Sequence, residues 1–357
     1  MSFEMRKKIV ILGDLHFGTH NGTELFLKFQ SKYLNEVIDY CTENAITEIW
    51  LTGDVFEVRK STQTFVLNYA KKHFFDRLLD LDIQVKTIVG NHDSVYRDTL
   101  FPNSIDVNLS IYKNIEIFNT VAEMQISDKN SILMVPWICR ENEEEIMESI
   151  HTTDCNVVLG HFEVKGARME GAVCEDGMEL SVFEKFDLSL SGHFHVRGTY
   201  GNMEYVGTPY EMSWADYGEV KGFHVLDTEK LTLDFVPNPH RLYYKIVYQE
   251  GKDMNEYLTK EYTDCFVRVI VEDREDFKKY EKWLMKLELK GMRDLKCIEP
   301  FGERSEEDSD VEFDGQIEAK STSKLIEEYI EDVYPERKTK LNAMAQGIFG
   351  EAMRLLS

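Results

Sequence analysis

The stretch Val85-Lys86-Thr87-Ile88-Val89-Gly90-Asn91-His92-Asp93 joins a short apolar run to a glycine and three polar side chains. Its β-branched apolar residues predict a buried strand over Val85 to Val89. Gly90 allows the backbone to turn sharply, so Asn91, His92 and Asp93 follow directly after the carboxyl end of that strand. The stretch therefore predicts a strand that delivers polar side chains to one edge of a sheet.

Four more apolar runs end in the same way, with a glycine and then an Asp or a His. They are followed by Gly13-Asp14-Leu15-His16, Gly53-Asp54, Gly160-His161 and Gly192-His193-Phe194-His195. A single Gly-Asp or Gly-His pair is most often a turn or a helix cap. Five such pairs, each directly after a predicted strand, indicate that the loops contribute to one functional site. Because ligand sites gather at the carboxyl ends of strands in an open α/β sheet, we expect these five loops to converge.

Helix-period stretches alternate with the apolar runs. The pattern predicts strands over residues 8–12, 48–51, 85–89, 132–135, 156–159 and 188–190. It predicts helices over residues 24–40, 64–81 and 141–150. This alternation is typical of βαβ units and indicates a layered α/β domain.

The pattern changes beyond about residue 238, and four segments are predicted. Residues 1–238 form the main domain, and residues 239–302 form a small α+β capping domain with strands over 242–248 and 266–271 and a helix over 276–289. Residues 303–319 form an acidic linker, since eight of the sixteen residues from 303 to 318 are Asp or Glu. Residues 320–357 form two amphipathic helices separated by Pro335, which we expect to dock on a partner.

Composition excludes several classes of function. The chain has 357 residues with 41 Lys plus Arg against 65 Asp plus Glu, a formal net charge of −24. Such a surface repels phosphate backbones, which argues against DNA binding through a broad basic face. No apolar run reaches the roughly 18 to 20 residues that span a bilayer, so we expect no membrane association. The six cysteines form no C-x-x-C pair, which favours free thiols in a cytoplasmic protein.

The residue types after the five strands indicate a metal centre. Seven side chains offer oxygen or nitrogen donors: Asp14, His16, Asp54, Asn91, His161, His193 and His195. Mixed oxygen and imidazole donors suit Mn²⁺, Fe²⁺ or Zn²⁺, and the lack of cysteine ligands disfavours a structural zinc. Seven donors exceed the needs of one ion. Two ions bridged by one carboxylate, roughly 3.5 to 4 Å apart, would use them all and suit displacement at phosphorus.

The motifs D-x-H, G-D, G-N-H-D, G-H and G-H-x-H, in this order, resemble the calcineurin-like metallophosphoesterases. In detail they are similar to the SbcD-type DNA nucleases of that superfamily, which include phage recombination nuclease subunits. The stretches Tyr205-Val206-Gly207-Thr208-Pro209-Tyr210 and Lys221-Gly222-Phe223 are also similar to that subfamily. The resemblance covers about residues 6–236 and implies a β-sandwich flanked by helices.

The resemblance implies a role for each site residue. One metal would be held by Asp14, His16, Asp54 and His195, and the other by Asp54, Asn91, His161 and His193, with Asp54 as the bridge. His92 would be no ligand but would steady the pentacovalent phosphorus and protonate the leaving oxygen, with Asp93 fixing its tautomer. The metals, Mn²⁺ with Mg²⁺ as the alternative, would activate the attacking water, so we expect no covalent enzyme intermediate.

The resemblance also implies substrate and partners. The expected activity is that of a DNA exonuclease and endonuclease subunit in an SbcCD-like recombination and repair complex. Its partners would be an SMC-like SbcC-type ATPase, DNA and a second copy of the chain, in the cytoplasm, or in the host cytoplasm if the chain is phage-encoded. Two alternatives stay open: a phosphodiesterase or phosphatase of small molecules, and a catalytically inactive scaffold.

Glu57 departs from the pattern of the resembled nucleases. Many of them carry a second non-ligand histidine three residues after the bridging aspartate, where this chain has Glu57. A glutamate donates no proton to phosphate unless its pKa is raised, so the balance of exonuclease and endonuclease action stays open. Tyr210, Trp214 and Tyr217 are candidates for stacking on a base, although core or interface packing is the favoured interpretation. The five other histidines are expected to be ordinary surface or core residues: His20, His73, His151, His224 and His240.

Overall fold

The computed structural model describes residues 8–169, 172–299 and 317–319, together with positions 330, 338 and 341. Its chain divides into two compact units, Met1–Arg241 and Leu242–Ser357. Layered sheets and helices confirm the predicted α/β fold class. The C-terminal helices predicted within residues 320–357 lie outside the described residues, apart from the three single positions, and so does the linker from 303 to 316.

The first sheet of unit 1 is mostly parallel. Its strands are β1 (Lys8–Leu12), β2 (Glu48–Leu51), β3 (Gln84–Ile88), β4 (Ile115–Phe118), β11 (Gly222–Asp227) and β12 (Thr232–Pro237). They lie in the order β12-β11-β1-β2-β3-β4. Strands β1 to β4 run parallel, and the β11–β12 hairpin adds to β1 in the antiparallel direction. The carboxyl ends of β1, β2 and β3 therefore share one edge of this sheet.

The second sheet of unit 1 repeats this plan. Its strands are β5 (Ala122–Gln125), β6 (Ser131–Val135), β7 (Val157–Gly160), β8 (Leu188–Ser191), β9 (Gly198–Tyr200) and β10 (Met203–Tyr205). They lie in the order β5-β6-β7-β8-β10-β9, with β6, β7, β8 and β10 parallel and β5 and β9 antiparallel at the edges. The carboxyl ends of β7 and β8 therefore lie side by side.

The two sheets pack face to face because successive side chains of a strand point to opposite faces. In β1, Ile9 and Ile11 join the core between the sheets, where they meet Val157 and Leu159 of β7 among others. Val10 points instead toward the helices outside the first sheet. Both faces of the central strands are thus buried, which explains why those strands read as continuous apolar runs.

Helices cover the outer faces of both sheets. They are α1 (Thr19–Gly22), α2 (Glu24–Glu43), α3 (Thr64–Ala70), α4 (Asp76–Asp80), α5 (Ser104–Leu109) and α6 (Glu143–Thr152), and a π-helical turn over Lys71–Phe75 joins α3 to α4. Short 3₁₀ helices lie at Leu180–Phe183 and Trp214–Asp216. Apolar side chains of α2, such as Leu34 and Val37, pack on the first sheet, and Ile146 and Ile150 of α6 pack on the second. Unit 1 is therefore a four-layer helix–sheet–sheet–helix sandwich.

Unit 2 has its own sheet and core. Its elements are β13 (Tyr243–Gln249), α7 (Asn255–Leu258), β14 (Phe266–Asp273), α8 (Phe277–Glu288), β15 (Asp294–Glu299) and β16 (Ile317–Ala319). Strands β13, β14 and β15 are parallel, and β16 pairs antiparallel with β15. The last three positions of the predicted linker, 317–319, are therefore strand. Residues 317–319 contain no apolar run, so the sequence pattern did not predict this strand. Its pairing with β15 is made by the backbone.

The two sheets agree with the β-sandwich that the family resemblance implies, whereas the pattern of strand endings alone predicts a single open sheet. Strand endings that were expected along one open sheet come from two, since β1, β2 and β3 lie in the first sheet and β7 and β8 in the second. Several strands were also not predicted: β4, β5, β9, β10, β11, β12 and β15. Edge strand β12 is half-exposed along its length, which leaves a weak apolar pattern.

His224 on β11 should make the fold sensitive to acid. His224 is buried, its ring lies 5.0 Å from that of the half-buried Phe235, and burial, with Arg197, lowers its pKa to about 4 from 6.5. Between these two values only the unfolded chain binds the proton, so the free energy of unfolding should fall as the pH drops below 6.5. At about 1.36 kcal/mol per pH unit, the loss due to His224 is about 2 kcal/mol at pH 5.

Denaturant titrations at pH 7 and pH 5 measure this contribution. In His224→Gln the loss between the two pH values should be smaller than in the parent by about that amount, and the exposed His151→Gln should behave like the parent. Equal pH dependence in the parent and His224→Gln would refute the assignment.

Candidate metal centre

The five loops predicted to converge meet at one edge of the sandwich. Donor atoms from the loops after β1, β2, β3, β7 and β8 approach one another within a few ångströms. The chain folds this way because both sheets present the carboxyl ends of their parallel central strands at the same edge. All seven predicted donor residues and His92 are found there.

The first group of donors surrounds His16. Its Nε2 atom lies 3.2 Å from His195 Nε2 and 3.7 Å from Asp54 Oδ2. Ligand atoms of Asp14, His16 and His195 all lie within 4.8 Å of one another. This group combines two imidazole nitrogens with carboxylate oxygens around a common point.

The second group surrounds Asn91. Its Oδ1 atom lies 2.8 Å from His161 Nε2 and 3.1 Å from His193 Nδ1. His161 Nε2 in turn lies 3.3 Å from Asp54 Oδ2. The same Asp54 oxygen therefore faces both groups, which is the position that a bridging ligand would occupy.

Unusual backbone geometry brings the loops this close. Asp54, His16 and His193 adopt left-handed conformations with φ of 49°, 43° and 80°. Gly90 is needed for close approach, because a Cβ atom there would lie 2.2 Å from Asp54 Oδ1. Non-glycine residues in this region typically cost about 1 to 3 kcal/mol each, and such strain clusters at functional sites.

Hydrogen bonds from the surrounding shell orient the donors. His161 Nδ1 lies 2.7 Å from the carbonyl oxygen of Thr52, which can only accept, so Nδ1 carries a proton and Nε2 faces the site. The buried Lys221 donates to the carbonyl oxygen of His195 at 2.8 Å and pairs with Asp216 at 2.5 Å. Partners of this kind typically fix the tautomer and orientation of metal ligands.

These contacts fit a bound cation. His161 Nε2 lies beside two oxygen acceptors, Asn91 Oδ1 and Asp54 Oδ2, so positive charge is needed at this point, either as a proton on Nε2 or as a metal ion. The other end of the Asn91 amide lies 3.0 Å from Arg59 Nη2, so Asn91 can accept from Arg59 only with its amide turned to present the oxygen to the guanidinium. A proton on Nε2 meets this need in the metal-free chain, and a divalent ion can replace it, because oxygen and imidazole nitrogen donors are suitable ligands for a transition metal.

The electrostatic field of the centre also favours positive charge. Burial lowers the pKa of an imidazole, yet contact with Glu57 and then Asp54 raises that of His16 to about 9, and Asp54 raises that of His161 to about 9. Burial opposes ionisation of Asp54, but His161 holds its pKa below the ordinary value. Burial and His161 lower the pKa of His193 to about 3, so this ring is neutral and available as a ligand.

His92 lies beside the donors without joining them. Its backbone N–H donates to Asp54 Oδ1 at 2.7 Å, and its ring centre is 4.9 Å from that of His16. His92 Nδ1 lies 2.8 Å from the carbonyl oxygen of Glu57, which accepts the Nδ1 proton and leaves Nε2 free.

Asp93 does not orient His92, and that prediction is wrong. Its carboxylate is fully buried and accepts hydrogen bonds from the backbone N–H groups of Val55, Phe56 and Gly90 and from Ser104 Oγ, at 2.9 to 3.3 Å. The tautomer of His92 is set instead by a main-chain carbonyl. Asp93 therefore ties together the loops after β2 and β3, a task that sequence spacing does not reveal.

Two further side chains border the centre. Trp137, which follows β6, has its ring centre 5.2 Å from that of His193 and 5.8 Å from that of His161. Arg59 reaches the amide of Asn91. Trp137 follows a strand as the predicted ligands do, but a proline stands where they have glycine, and this hid it from the motif pattern.

The aromatic candidates for DNA contact fall into two groups. Tyr210 is completely buried and its hydroxyl donates to the carbonyl oxygen of Leu15 at 2.5 Å, so it belongs to the core. Trp214 and Tyr217 are half-buried, with ring centres 6.4 Å apart. The other histidines have ordinary contacts, for example His20 stacked on Phe26.

A profile of the calcineurin-like phosphoesterases matches residues 7–197, which contain every residue of the centre. The chain belongs to this family of phosphoesterases. Exonuclease subunit 1 of Enterobacteria phage T4 is 31% identical over 324 residues, covering 90% of this chain and 92% of that protein. These findings confirm the resemblance drawn from the motifs.

Two more similarities complete the comparison. The SbcD component of the SbcCD nuclease of Staphylococcus epidermidis is 24% identical over 262 residues, 64% of this chain and 69% of that protein. A solved archaeal phosphodiesterase covers 65% of this chain and 99% of its own, with 13% identity and a TM-score of 0.35. Within the described part of the chain, no helix is both long and apolar enough to cross a bilayer.

Asp54→Ala should abolish metal binding at both donor groups, because its Oδ2 atom faces both of them. Asn91→Ala should weaken mainly one ion, since its Oδ1 atom contacts only the second group among the described residues. Elemental analysis after equilibration with Mn²⁺ measures the metal content, and the exposed Asp80→Ala is the matched control. Two ions per chain retained in Asp54→Ala would contradict the bridging position.

Proposed function

We propose that the chain is the nuclease subunit of a DNA-processing complex and hydrolyses phosphodiester bonds with two divalent ions. The observation that carries the proposal is the pair of donor groups that share Asp54 Oδ2, with His92 beside them. A two-ion centre is suited to in-line displacement at phosphorus because it can clamp both the attacking and the leaving oxygen.

The proposed ligand sets follow the two groups. Asp14, His16, Asp54 and His195 would hold one ion, and Asp54, Asn91, His161 and His193 would hold the other. When bound, the ions would activate water and neutralise phosphoryl oxygens. Mn²⁺ is the proposed metal because it accepts both imidazole and carboxylate donors, with Mg²⁺ as the alternative.

His92 is the proposed general acid. Its Nδ1 proton stays on the Glu57 carbonyl, which fixes the ring, and its Nε2 atom is free to hold the proton that the leaving oxygen takes. Imidazole is suited to this transfer because its ordinary pKa lies near neutral pH. Asn91 and His92 are neighbours on one loop, so the acid is held close to the ligand set.

DNA is the proposed substrate because both relatives described above are nucleases by name and one aligns over 90% of this chain. Arg59, beside the Asn91 amide, would give a phosphate a local positive contact. At a net charge of −24, the chain as a whole repels DNA, so a partner would supply most of the affinity.

The proposed partner is an SbcC-type ATPase, because the second relative is by name one component of an SbcCD nuclease. Residues 320–357 would dock on it, and residues 239–302 would cap the DNA. The chain would also pair with a second copy. A helix packed in a groove or against a coiled coil is a common way to bury an amphipathic stripe such as the one at Leu325, Ile326 and Tyr329.

A cleavage assay tests the proposal directly. Linear duplex DNA, single-stranded DNA and bis(p-nitrophenyl) phosphate are incubated with the chain, with and without Mn²⁺. Manganese-dependent cleavage of DNA is the expected result. Turnover of the small phosphodiester, with DNA left intact in the presence of the ATPase, would favour the small-molecule alternative.

His92→Asn should slow the chemical step by about 10² to 10⁴, the usual contribution of general acid catalysis, while leaving metal content unchanged. Single-turnover cleavage of labelled DNA measures the step. His73→Asn, in the π-helical turn, is a matched control. Cleavage by His92→Asn at the parental rate would remove His92 from the mechanism.

Deleting residues 320–357 should abolish co-purification with the ATPase while leaving the metal content of the chain intact. The stripe of apolar residues on that segment, rather than the metal centre, would make the contact. Affinity capture of the ATPase and elemental analysis measure the two effects. Binding of the ATPase to the truncated chain at parental affinity would contradict the docking role.

A further inference from the structure

Glu57 contacts the two histidines on which the proposed chemistry depends, through different parts of the residue. Its carboxylate oxygen Oε2 lies 2.8 Å from His16 Nδ1, and its backbone carbonyl oxygen lies 2.8 Å from His92 Nδ1. Carboxylate and ring atoms of Glu57, His16 and His92 all lie within 4.8 Å of one another. The side chain is 33% exposed, whereas His16 is buried.

The backbone of Glu57 is fixed by the loop after β1. Its N–H donates to the carbonyl oxygen of Phe17 at 3.0 Å. The N–H groups of Phe17 and His16 donate to the backbone carbonyl oxygens of Val55 and Asp54, each at 2.9 Å. This short ladder joins the two loops side by side. These backbone hydrogen bonds therefore hold Glu57 beside His16, within reach of its Nδ1 atom.

The two ring nitrogens of His16 face different partners. Nε2 lies nearest Asp54 and His195, and Nδ1 forms an ion-pair contact of 2.8 Å with the Glu57 carboxylate. A neutral imidazole binds a metal through the nitrogen without a proton, so coordination by Nε2 requires the proton on Nδ1. A carboxylate beside the distal nitrogen stabilises that tautomer and increases the basicity of the ligand.

We propose that Glu57 is a positioning residue that holds the Nδ1 proton of His16 and directs Nε2 at the metal. The proposal rests on the metal centre assigned under the proposed function. It gives a role to the glutamate that stands where the resembled nucleases have a second histidine. The side chain of Glu57 increases the affinity for the ion held by His16. Independently of that side chain, the main-chain carbonyl of Glu57 orients His92.

Three variants of the full-length chain separate the role of position from that of charge. Glu57→Ala removes the carboxylate but keeps the carbonyl that orients His92. Glu57→Gln removes the charge and keeps an oxygen that can accept from Nδ1. Glu24→Ala removes the same charge at an exposed site, where Glu24 pairs with Lys28. Thermal unfolding of each variant verifies that it is folded.

Calorimetric titration with Mn²⁺ and ¹⁵N spectra of the His16 ring are the readouts. Glu57→Ala should weaken one of the two ions by about 10- to 100-fold and leave the other near its parental affinity. It should also shift the His16 ring away from the Nδ1-protonated tautomer. Glu57→Gln should lose less affinity than Glu57→Ala, and Glu24→Ala should match the parent.

Several outcomes would overturn the proposal. One is parental Mn²⁺ affinity and an unchanged tautomer in Glu57→Ala. Another is equal loss in Glu57→Gln and Glu57→Ala with the tautomer unchanged, which would assign the effect to charge. A parent that binds no Mn²⁺ would refute both the centre and the role of Glu57. The expected Mn²⁺ and tautomer effects in a chain that cleaves no DNA would support Glu57 and refute only the proposed nuclease function.

Discussion

The buried carboxylate of Asp54 joins the two halves of the sandwich. Its Oδ1 atom accepts from the backbone of His92, and its Oδ2 atom faces His16 and His161. A buried carboxylate is costly unless it is compensated by donors or positive charge. Loops after β1, β3 and β7 must therefore come close to it, and those loops belong to both sheets. This constraint accounts for the close approach of His16, His92 and His161.

Close approach requires backbone geometry that ordinary loops avoid. Asp54, His16 and His193 lie in the left-handed region, and Gly90 leaves room for the Asp54 carboxylate. The sandwich can hold such strain because the strands that carry these loops are buried on both faces. Asp93 adds to this rigidity by accepting three backbone hydrogen bonds from the loops after β2 and β3. The core thus serves as the support for the centre.

The parts of this molecule that could be predicted are those coded by neighbouring residues. Apolar runs followed by glycine and a polar side chain predicted the central strands. The same pattern predicted His16, Asn91 and their partners as candidate metal ligands. Edge strands such as β12 were missed because half their side chains face solvent. The contact between Glu57 and His16, and the true partners of Asp93, depend on backbone amides and turns that are distant in sequence. The spacing of residues along the sequence therefore does not predict these contacts.

Charge connects the centre to the rest of the chain. With a net charge of −24, the surface repels a phosphate backbone at long range. At short range the carboxylates of Asp54 and Glu57 are offset by His16 and His161, whose pKa values are raised to about 9, so the metal-free centre adds little attraction for phosphate. Two divalent ions would make the local charge positive and the centre the part of this surface that attracts phosphate. Substrate binding would then depend on metal loading, and the affinity for the rest of a DNA molecule would have to come from a partner. On the proposed function, the acidic surface would keep the chain from cutting DNA that no partner has delivered to it.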